Sequence, residues 1–330
     1  MSGARLRIVR AGGLVTLQDD GRNGYRRTGV SVSGPMDWIA HELALRLAGA
    51  EPDEPAFEVG PGGLVVEPLD APVRLGVAGP GHRAEIARND APRAIVPAPA
   101  RITLQPGETL TLRAGGEGVW GTLAVAGLDA GPAMLGSRAT NARTGLGPAR
   151  PEAGAKYGCD AAEPFPPLPY LDPLEPLRGE PIRVLPGPQA HLFASDMLER
   201  LVAETYRVTA QADRMGYRLD GPPLEASTHD IVSDALVKGA MQVPGDGRPI
   251  VLAADCAPTG GYPKIAVVSR ADLPRLVQRR AGDPVSFRWA GEAEAAKASA
   301  ALEAAIRAPE PRRRTPNAPP FLASVSKRRP

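Results

Sequence analysis

Glycine and proline interrupt this chain so often that long regular elements are excluded over most of its length. Each of the two occurs 37 times among 330 residues. Proline breaks helices and lacks a backbone donor, whereas glycine favours tight turns. Between them lie short apolar runs such as "LVVEP", "VRLGVAG" and "GVWGTLAVAG". Short strands that recur about every ten residues with turn signals between them predict a mainly β protein, built as a barrel or a sandwich.

A few segments have the period of a helix instead. The stretch "SGPMDWIAHELALRLAGA" places Ile39, Leu43 and Leu47 on one helical face, with Asp37 before them as the N-cap. The stretches "QAHLFASDMLERLVAE" and "RADLPRLVQRRAGD" show the same period, and Asp272 is the predicted N-cap of the second. We therefore expect a mainly β fold with a few helices.

The proline-rich segment "EPFPPLPYLDPLEPLRGEP" favours an extended linker over a regular strand or helix. A chain of this length is compatible with two domains. We predict the following organisation: a β-rich N-terminal domain over 1–160, a linker over 161–181, a C-terminal β domain over 182–290, a helix over 291–308 and a disordered basic tail over 309–330.

The charge is unevenly distributed along the chain. Residues 307–330 contain seven basic residues and one acid, a net charge of +6, so residues 1–306 carry −4 out of the total of +2. A mildly acidic body with 4% aromatic residues does not favour a nucleic-acid surface. We expect a small-molecule ligand and protein partners, and no nucleic acid.

Several kinds of site and targeting segment are not predicted. Cys159 and Cys256 form no CxxC pair, and the four histidines have no ligand spacing, so neither a disulfide framework nor a metal site is expected. The sequence contains no GxxxxGK[ST] loop and no GxSxG elbow. The N-terminus lacks a signal-peptide core, and no apolar run approaches the roughly 18 residues of a membrane span. We expect a cytoplasmic location.

The richest candidate for chemistry is "DCAPTGGYPK", which lies between two apolar runs. Adjacent glycines permit unusual backbone angles and close approach of a ligand. The loop could offer an acid or base, a hydroxyl, a phenol and a cation to an anionic substrate. It could equally be a tight barrel turn whose polar groups satisfy backbone ends. The candidate residues are Asp255, Thr259, Gly260, Gly261, Tyr262 and Lys264.

Further candidates lie elsewhere. Arg214 could bind a carboxylate through two hydrogen bonds, or could form a structural pair with an aspartate. Gln242, at the end of a predicted strand, could hold an amide-like group or bond a loop. Two polar loops of the N-terminal half also resemble parts of a site; they contain Gln18, Asp19, Arg22, Tyr25, Ser33 and Asp37, and Ser137, Arg138, Thr140 and Asn141.

Eight motifs in this order resemble the biotin-dependent carboxyltransferase-like family, which includes the C-type subunits of 5-oxoprolinases, KipA, the second subunit of allophanate hydrolase and the carboxyltransferase region of urea carboxylase. The resemblance extends from Gly13 to Trp289. Its carriers are "LQDDGRNGYRRTGVSVSGPMD", "FEVGPGG", "LAVAG", "MLGSRAT", "LPGPQ", "ADRMGYRLDG", "GAMQVPGDGRPIVLAADCAPTGGYPKIAVV" and "LVQRRAGDPVSF".

The resemblance implies a cyclophilin-like β-barrel architecture for residues 182–290 and a site with Asp255, Tyr262 and Lys264 as catalytic residues. Arg214, Gln242, Thr259, Gly260 and Gly261 would bind a small amide or carboxylate. It also implies an ATP-dependent 5-oxoprolinase complex with A-type and B-type (KipI-like) subunits, in which this chain alone is inactive and binds no cofactor. The alternatives are a biotin-dependent carboxyltransferase subunit and a KipA-like regulator without enzyme activity.

Overall fold

The computed structural model describes residues 3–88, 91–164, 167–170 and 179–307, without the side chains of residues 91–93 and 169. The predicted basic tail, residue 308 of the predicted helix, and residues 165–166 and 171–178 of the predicted linker lie outside the described residues. Within them, no helix has both the length and the apolar character needed to cross a membrane.

The first half of the chain forms two six-stranded antiparallel sheets. The strands are β1 (Gly3–Ala11), β2 (Val15–Gln18), β3 (Ala56–Val59), β4 (Leu64–Pro68), β5 (Val73–Ala78), β6 (His82–Arg88), β7 (Ala91–Pro97), β8 (Ala100–Leu104), β9 (Glu108–Ala114), β10 (Gly121–Val125), β11 (Lys156–Asp160) and β12 (Leu168–Pro169). One sheet has the order β11-β1-β4-β9-β6-β7 and the other β12-β8-β5-β10-β3-β2. Leu6 and Ile8 of the first sheet share a core with Phe57 and Leu123 of the second.

Helix α1 (Trp38–Ala48) covers the second sheet. As predicted, Asp37 is its N-cap: the side chain accepts a hydrogen bond from the amide of Ala40 at 2.9 Å. The helix packs so closely on β5 that a Cβ atom on Gly76 would lie 1.9 Å from the carbonyl oxygen of Ala44. Glycine is therefore required at this contact.

The second half of the chain closes into a seven-stranded barrel of order β13-β20-β17-β18-β15-β14-β21. The strands are β13 (Ile182–Pro186), β14 (Thr205–Ala212), β15 (Gly216–Asp220), β17 (Ala240–Gln242), β18 (Ile250–Leu252), β20 (Lys264–Val268) and β21 (Pro284–Trp289), and a separate ladder joins β16 (Asp234–Ala235) to β19 (Thr259–Gly260). The helices are α2 (Ser195–Ala203), α3 (Leu273–Val277) and α4 (Glu292–Arg307). The prediction of a mainly β barrel protein with a few helices is confirmed.

The two halves share a core. Met36 and Trp120 from the first half pack among the buried side chains of the barrel. Gln278, which follows α3, accepts from the amides of Val119 and Trp120 and donates to Asp37 at 2.7 Å. The predicted domain boundaries stay a prediction, but the halves are joined by buried contacts that a flexible linker would not provide.

Asp272 is the N-cap residue of α3, as predicted, but its side chain makes no capping hydrogen bond, because the buried carboxylate accepts from Arg183 and Arg275 instead. One local prediction was wrong. The linker was not expected to form a strand, yet Leu168 and Pro169 pair with β8 as β12. β12 is an edge strand, where the missing proline donor breaks no ladder.

Two histidines are buried in the interior, and they predict that the folded protein loses stability at acidic pH. Burial lowers the pKa of both His41 and His82 from 6.5 to about 4. As the pH falls through 6.5, the unfolded state binds these protons and the folded state does not, so stability decreases toward pH 4. Each histidine should contribute a slope of up to about 1.4 kcal/mol per pH unit. Urea unfolding between pH 7 and pH 4.5 should show that the unfolding free energy of His82→Asn depends less steeply on pH than that of the wild type. Equal pH dependence in the two proteins would contradict this assignment.

Candidate functional site

Arg214 is the centre of a buried ionic network that joins the barrel to the N-terminal sheets. Its Nε and Nη2 atoms donate to the two carboxylate oxygens of Asp255 at 2.8 and 3.0 Å. Nη1 donates to Glu58 in β3, and Nη2 also donates to the carbonyl oxygen of Gly34 at 2.8 Å. The turn between β14 and β15 presents Arg214 in this position because Asp213 accepts from the amides of Met215 and Gly216.

The charges of this network depend on one another. Burial alone would lower the pKa of Arg214, but the carboxylates of Glu58 and Asp255 outweigh burial and raise it. Burial raises the pKa of Glu58, against the opposing effect of Arg214. Glu58 also accepts from the amide of Met36 at 2.6 Å. Because two carboxylates share one guanidinium, Glu58 is a place where this network could hold a proton.

Lys238 lies beside the network. Its ammonium group donates to the carbonyl oxygens of Pro35 and, at 3.1 Å, Met36. Burial lowers the pKa of Lys238 to about 8, although the charge of Glu58 acts in the opposite direction. A lysine with a pKa near neutrality can both accept and release a proton at physiological pH.

The sequence analysis did not single out Glu58 or Lys238. A signal existed for Glu58, because an acid within the apolar run "AFEV" of a fully buried strand must have a partner. Lys238 stands in "LVKGAMQVP", where nothing local distinguishes it from a surface lysine.

A second cluster lies under the loop 255–264. Lys264, whose side chain is 2% exposed, donates to Asp234 at 2.8 Å. Gln189 donates to the same carboxylate at 3.1 Å. Lys264 is the main cause that lowers the pKa of Asp234 to about 2. The pair ties β20 to the small β16–β19 ladder.

Gln242 is opposite Lys264 in the β17–β20 pairing. A Cβ atom on Gly260 would lie 2.9 Å from the Nε2 atom of Gln242, so the glycine makes room for this amide. Among the described residues, Nε2 of Gln242 has no hydrogen-bond partner although it is buried. Tyr262 is 41% exposed and Thr259 is also exposed.

The structure thus divides the predicted site residues between two clusters. Asp255 and Arg214 belong to the ionic network. Lys264, Gln242, Thr259, Gly260, Gly261 and Tyr262 belong to the loop cluster. The β16–β19 pairing begins after Pro258 and directs the rest of the loop toward Asp234, whereas Asp255 turns toward Arg214.

The two polar loops of the N-terminal half bind each other. Asp19 accepts from the hydroxyl of Ser137 and the amide of Arg138. Asn141 donates to the hydroxyl of Ser33 at 3.2 Å. Ser33 has a φ of 63°, an unusual value for a residue other than glycine. Together these bonds join the two loops.

A cavity lies on each side of the ionic network. Arg214 and Asp255 line an open cleft of about 790 Å³. Lys238 lines a second cavity of about 760 Å³ together with Ser33 and His41. No group of three His, Cys, Asp or Glu side chains in the described part of the chain is arranged to hold a metal ion. The side chains named above can take part in hydrogen bonding, anion binding and proton transfer.

Comparison with known proteins identifies the family. The family model of the carboxyltransferase domain, subdomain A and B, matches residues 28–289. The chain is 34% identical over 304 residues to the C subunit of 5-oxoprolinase from Escherichia coli, covering 89% of this chain and 94% of that protein. It is 28% identical over 312 residues to urea amidolyase of Lachancea kluyveri, of which it covers 16%.

Solved structures agree on the fold. The crystal structure of TTHA0988 has a TM-score of 0.75 and 35% identity over 86% of this chain, which spans 55% of that longer chain. The urea carboxylase of Kluyveromyces lactis has a TM-score of 0.81 at 24% identity, covering 93% of this chain and 29% of that one. The family model over residues 28–289 and the 34% identity to a relative that is covered to 94% therefore show that this chain belongs to the carboxyltransferase domain family, subdomain A and B.

Proposed function

We propose that this chain is the C-type subunit of a 5-oxoprolinase, which opens the lactam ring of 5-oxoproline to give glutamate. The observation that carries the proposal is the similarity to the 5-oxoprolinase C subunit of Escherichia coli over 94% of that protein. Because that relative is a subunit, this chain is expected to work within an assembly. We further propose A-type and B-type subunits as its partners, ATP as the energy source, and no activity for the chain alone.

The ionic network suits the proposed reaction. Hydrolysis adds water across the C–N bond of the lactam, so a proton must leave the water and a proton must reach the ring nitrogen. Lys238, with its pKa of about 8, can exchange a proton near neutral pH, and burial raises the pKa of the nearby Glu58 carboxyl above its usual value. We propose that Arg214 holds Asp255 in place for proton transfer at this centre.

The loop cluster enters the proposal with the roles predicted from the resemblance. The Nε2 atom of Gln242 has no hydrogen-bond partner within the described residues, and it would donate to a carbonyl oxygen of the substrate. Lys264 and Tyr262 would assist catalysis, and Thr259, Gly260 and Gly261 would shape the contact with the substrate. The exposed phenol of Tyr262 would act where a partner encloses the loop. We propose that ATP binds to a partner, since the sequence contains no GxxxxGK[ST] motif.

Carboxyl transfer is the second candidate function. The similarity to urea amidolyase favours it, since urea and 5-oxoproline both present a planar amide carbonyl. In that case carboxybiotin would be a co-substrate brought by another chain. A KipA-like regulator would bind a kinase-inhibitor protein without turnover.

Co-purification with A-type and B-type subunits, followed by an assay of 5-oxoproline-dependent ATP hydrolysis, tests these functions. We expect turnover only with all three chains, and a loss of at least a hundredfold in Asp255→Ala and Lys264→Ala while the complex stays intact, in the range found for removal of an acid–base group. An intact complex without turnover would contradict the 5-oxoprolinase proposal. Transfer of the carboxyl group from carboxybiotin to urea, with release of biotin, would then support carboxyl transfer. The absence of both activities would support regulation.

A further inference from the structure

The open cleft beside the ionic network is rich in arginine. Its lining, around a volume of about 790 Å³, contains seven arginines and two aspartates. Residues 1–306 as a whole carry a net charge of −4, so the cleft concentrates positive charge on an otherwise acidic body. Arg214 is already bound to Asp255 within the network. The arginines of the cleft outside the network are Arg10, Arg113, Arg143, Arg150, Arg279 and Arg280.

Three of these side chains, the sheet-side arginines, lie around two glycine turns of the N-terminal half. Arg10 donates through Nη1 to the carbonyl oxygen of Gly62 at 3.2 Å, and Arg150 donates through Nη1 to that of Gly13 at 2.8 Å. The two turns are hydrogen bonded to each other at 2.8 Å. Arg113 lies beside them, because its strand β9 pairs with β4 directly after the second turn. The sheets therefore present a group of cations on one side of the cleft.

The barrel half presents a second group, the barrel-side arginines Arg279 and Arg280. The Nε and Nη2 atoms of Arg280 donate to the carbonyl oxygen of Gly118 at 3.3 and 3.1 Å. Burial and the charge of Arg275 lower the pKa of Arg279, although Asp283 acts in the opposite direction. The cations of the cleft thus come from both halves of the chain.

These guanidinium groups are held in place without being neutralised. A carbonyl oxygen orients a guanidinium but carries no net charge to cancel its own. Within the described ranges, Arg10, Arg150 and Arg280 form no ion pair, and Arg113 lies 3.9 Å from Glu85. Each guanidinium keeps N–H donors that can bind a carboxylate. Because one exposed ion pair contributes little, a ligand held here needs several anionic groups.

The cleft also offers apolar surface. Leu14 is 43% exposed, and the partly buried side chains of Val119 and Met215 line the same cleft. Arginine and methionine are enriched at protein interfaces whereas lysine is depleted, and no described lysine lines this cleft. Its described aromatic residues, Trp120 and Tyr217, are only 3% and 2% exposed, so they cannot stack on bases. These features favour a protein ligand over a nucleic acid.

We propose that this cleft is the docking site for an extended acidic segment of a partner protein, whose carboxylates bind the sheet-side and barrel-side arginines and whose apolar side chain packs on Leu14. The inference rests on the proposed function in one respect, that the chain works with partner subunits. Arg214 and Asp255 line the same cleft, so the docked segment would exclude water from them. Such a contact gives a physical reason for the proposed inactivity of the chain alone.

Titration of the full chain with purified A-type and B-type subunits at increasing salt tests the docking site. We expect one of the two subunits to bind, with a Kd that rises with salt because salt screens exposed charges. The double variant Arg10→Glu/Arg280→Glu reverses one charge in each group. It should raise that Kd at least tenfold and flatten its salt dependence, since like charges would then face each other.

Arg200→Glu is the matched control. Arg200 lies on α2 outside the cleft, and it too is held by a backbone carbonyl, that of Pro223 at 3.1 Å. Its Kd should stay within about twofold of the wild type, because rim charges away from a contact contribute little. Equal weakening by the control and the double variant would contradict docking at the cleft, as would wild-type binding that does not change with salt.

A cross-linking experiment keeps the wild-type charges, so it decides the question even if the double variant does not fold. Ala210 is exposed and lines the cleft, whereas Ala203 is exposed at the end of α2 and does not. With a photo-cross-linking residue at either position, we expect only position 210 to capture the subunit, through a peptide rich in Asp and Glu. A captured peptide without acidic residues would overturn the proposal. Tighter binding of a single-stranded oligonucleotide than of either subunit would do the same.

The outcomes separate this inference from the proposed function. If the complex assembles and hydrolyses 5-oxoproline equally well with Arg10→Glu/Arg280→Glu and with the wild type, the cleft is not the docking site although the function stands. If charge reversal prevents assembly but the wild-type complex shows no 5-oxoproline-dependent turnover, the docking site stands without the function. Absence of binding of both subunits to the wild-type chain overturns the docking site.

Discussion

Replacing Arg214 with methionine is expected to lower the free energy of unfolding by about 3–5 kcal/mol, because it leaves two buried carboxylates without their cation. The side chains of Arg214, Glu58 and Asp255 are 12%, 2% and 8% exposed, so water cannot replace the guanidinium. The substitution also frees the carbonyl oxygen of Gly34 and loosens the join between barrel and sheets. Urea unfolding at pH 7 measures the change.

The matched control is Arg218→Met, four residues further along the same hairpin. Arg218 pairs with Asp246 at 3.2 Å, but the two side chains are 33% and 49% exposed. Exposed pairs contribute about 0–1 kcal/mol, so this variant should stay within that range. Equal effects of the two substitutions would show that the Glu58–Arg214–Asp255 network does not stabilise the fold.

Gly76→Ala is expected to destabilise the protein by about 3 kcal/mol through overpacking between β5 and α1. The new Cβ atom would lie 1.9 Å from the carbonyl oxygen of Ala44 and 2.6 Å from the amide of Ala48. Both are backbone atoms, so the helix must shift as a unit. Met36 lies just before the N-cap of this helix, and its amide donates to Glu58, so a shift of the helix should also lower the activity of the assembled complex.

Gly13→Ala provides the control for Gly76→Ala. No atom lies within 4 Å of the position that its Cβ would take, and its φ is not in the left-handed region. Its unfolding free energy should stay within about 0.5 kcal/mol of the wild type. Thermal or urea unfolding of the two variants measures the difference. A similar loss of stability at both positions would mean that Gly76 is not required for the close packing of α1 on β5.

The strands and helix starts that depend on residues close together in the chain could be predicted from the sequence. Short apolar runs between glycines and prolines predicted the β architecture, and Asp37 marked the start of α1. Each of these depends on residues within one turn or one strand. Asp272 likewise marked the start of α3, but the distant Arg183 binds its carboxylate, so the capping hydrogen bond itself is absent.

The composition of the candidate site, in contrast, depends on how distant segments pack. Arg214 meets a carboxylate 41 residues away and another 156 residues away. Lys264 was grouped with Asp255 on one loop, but the β16–β19 ladder brings it to Asp234 instead. Lys238 became a candidate only when the fold brought it beside Glu58 of β3. The physical reason is that strand and helix signals depend on neighbours in the chain, whereas burial, ion pairing and pKa depend on which distant segments exclude water together.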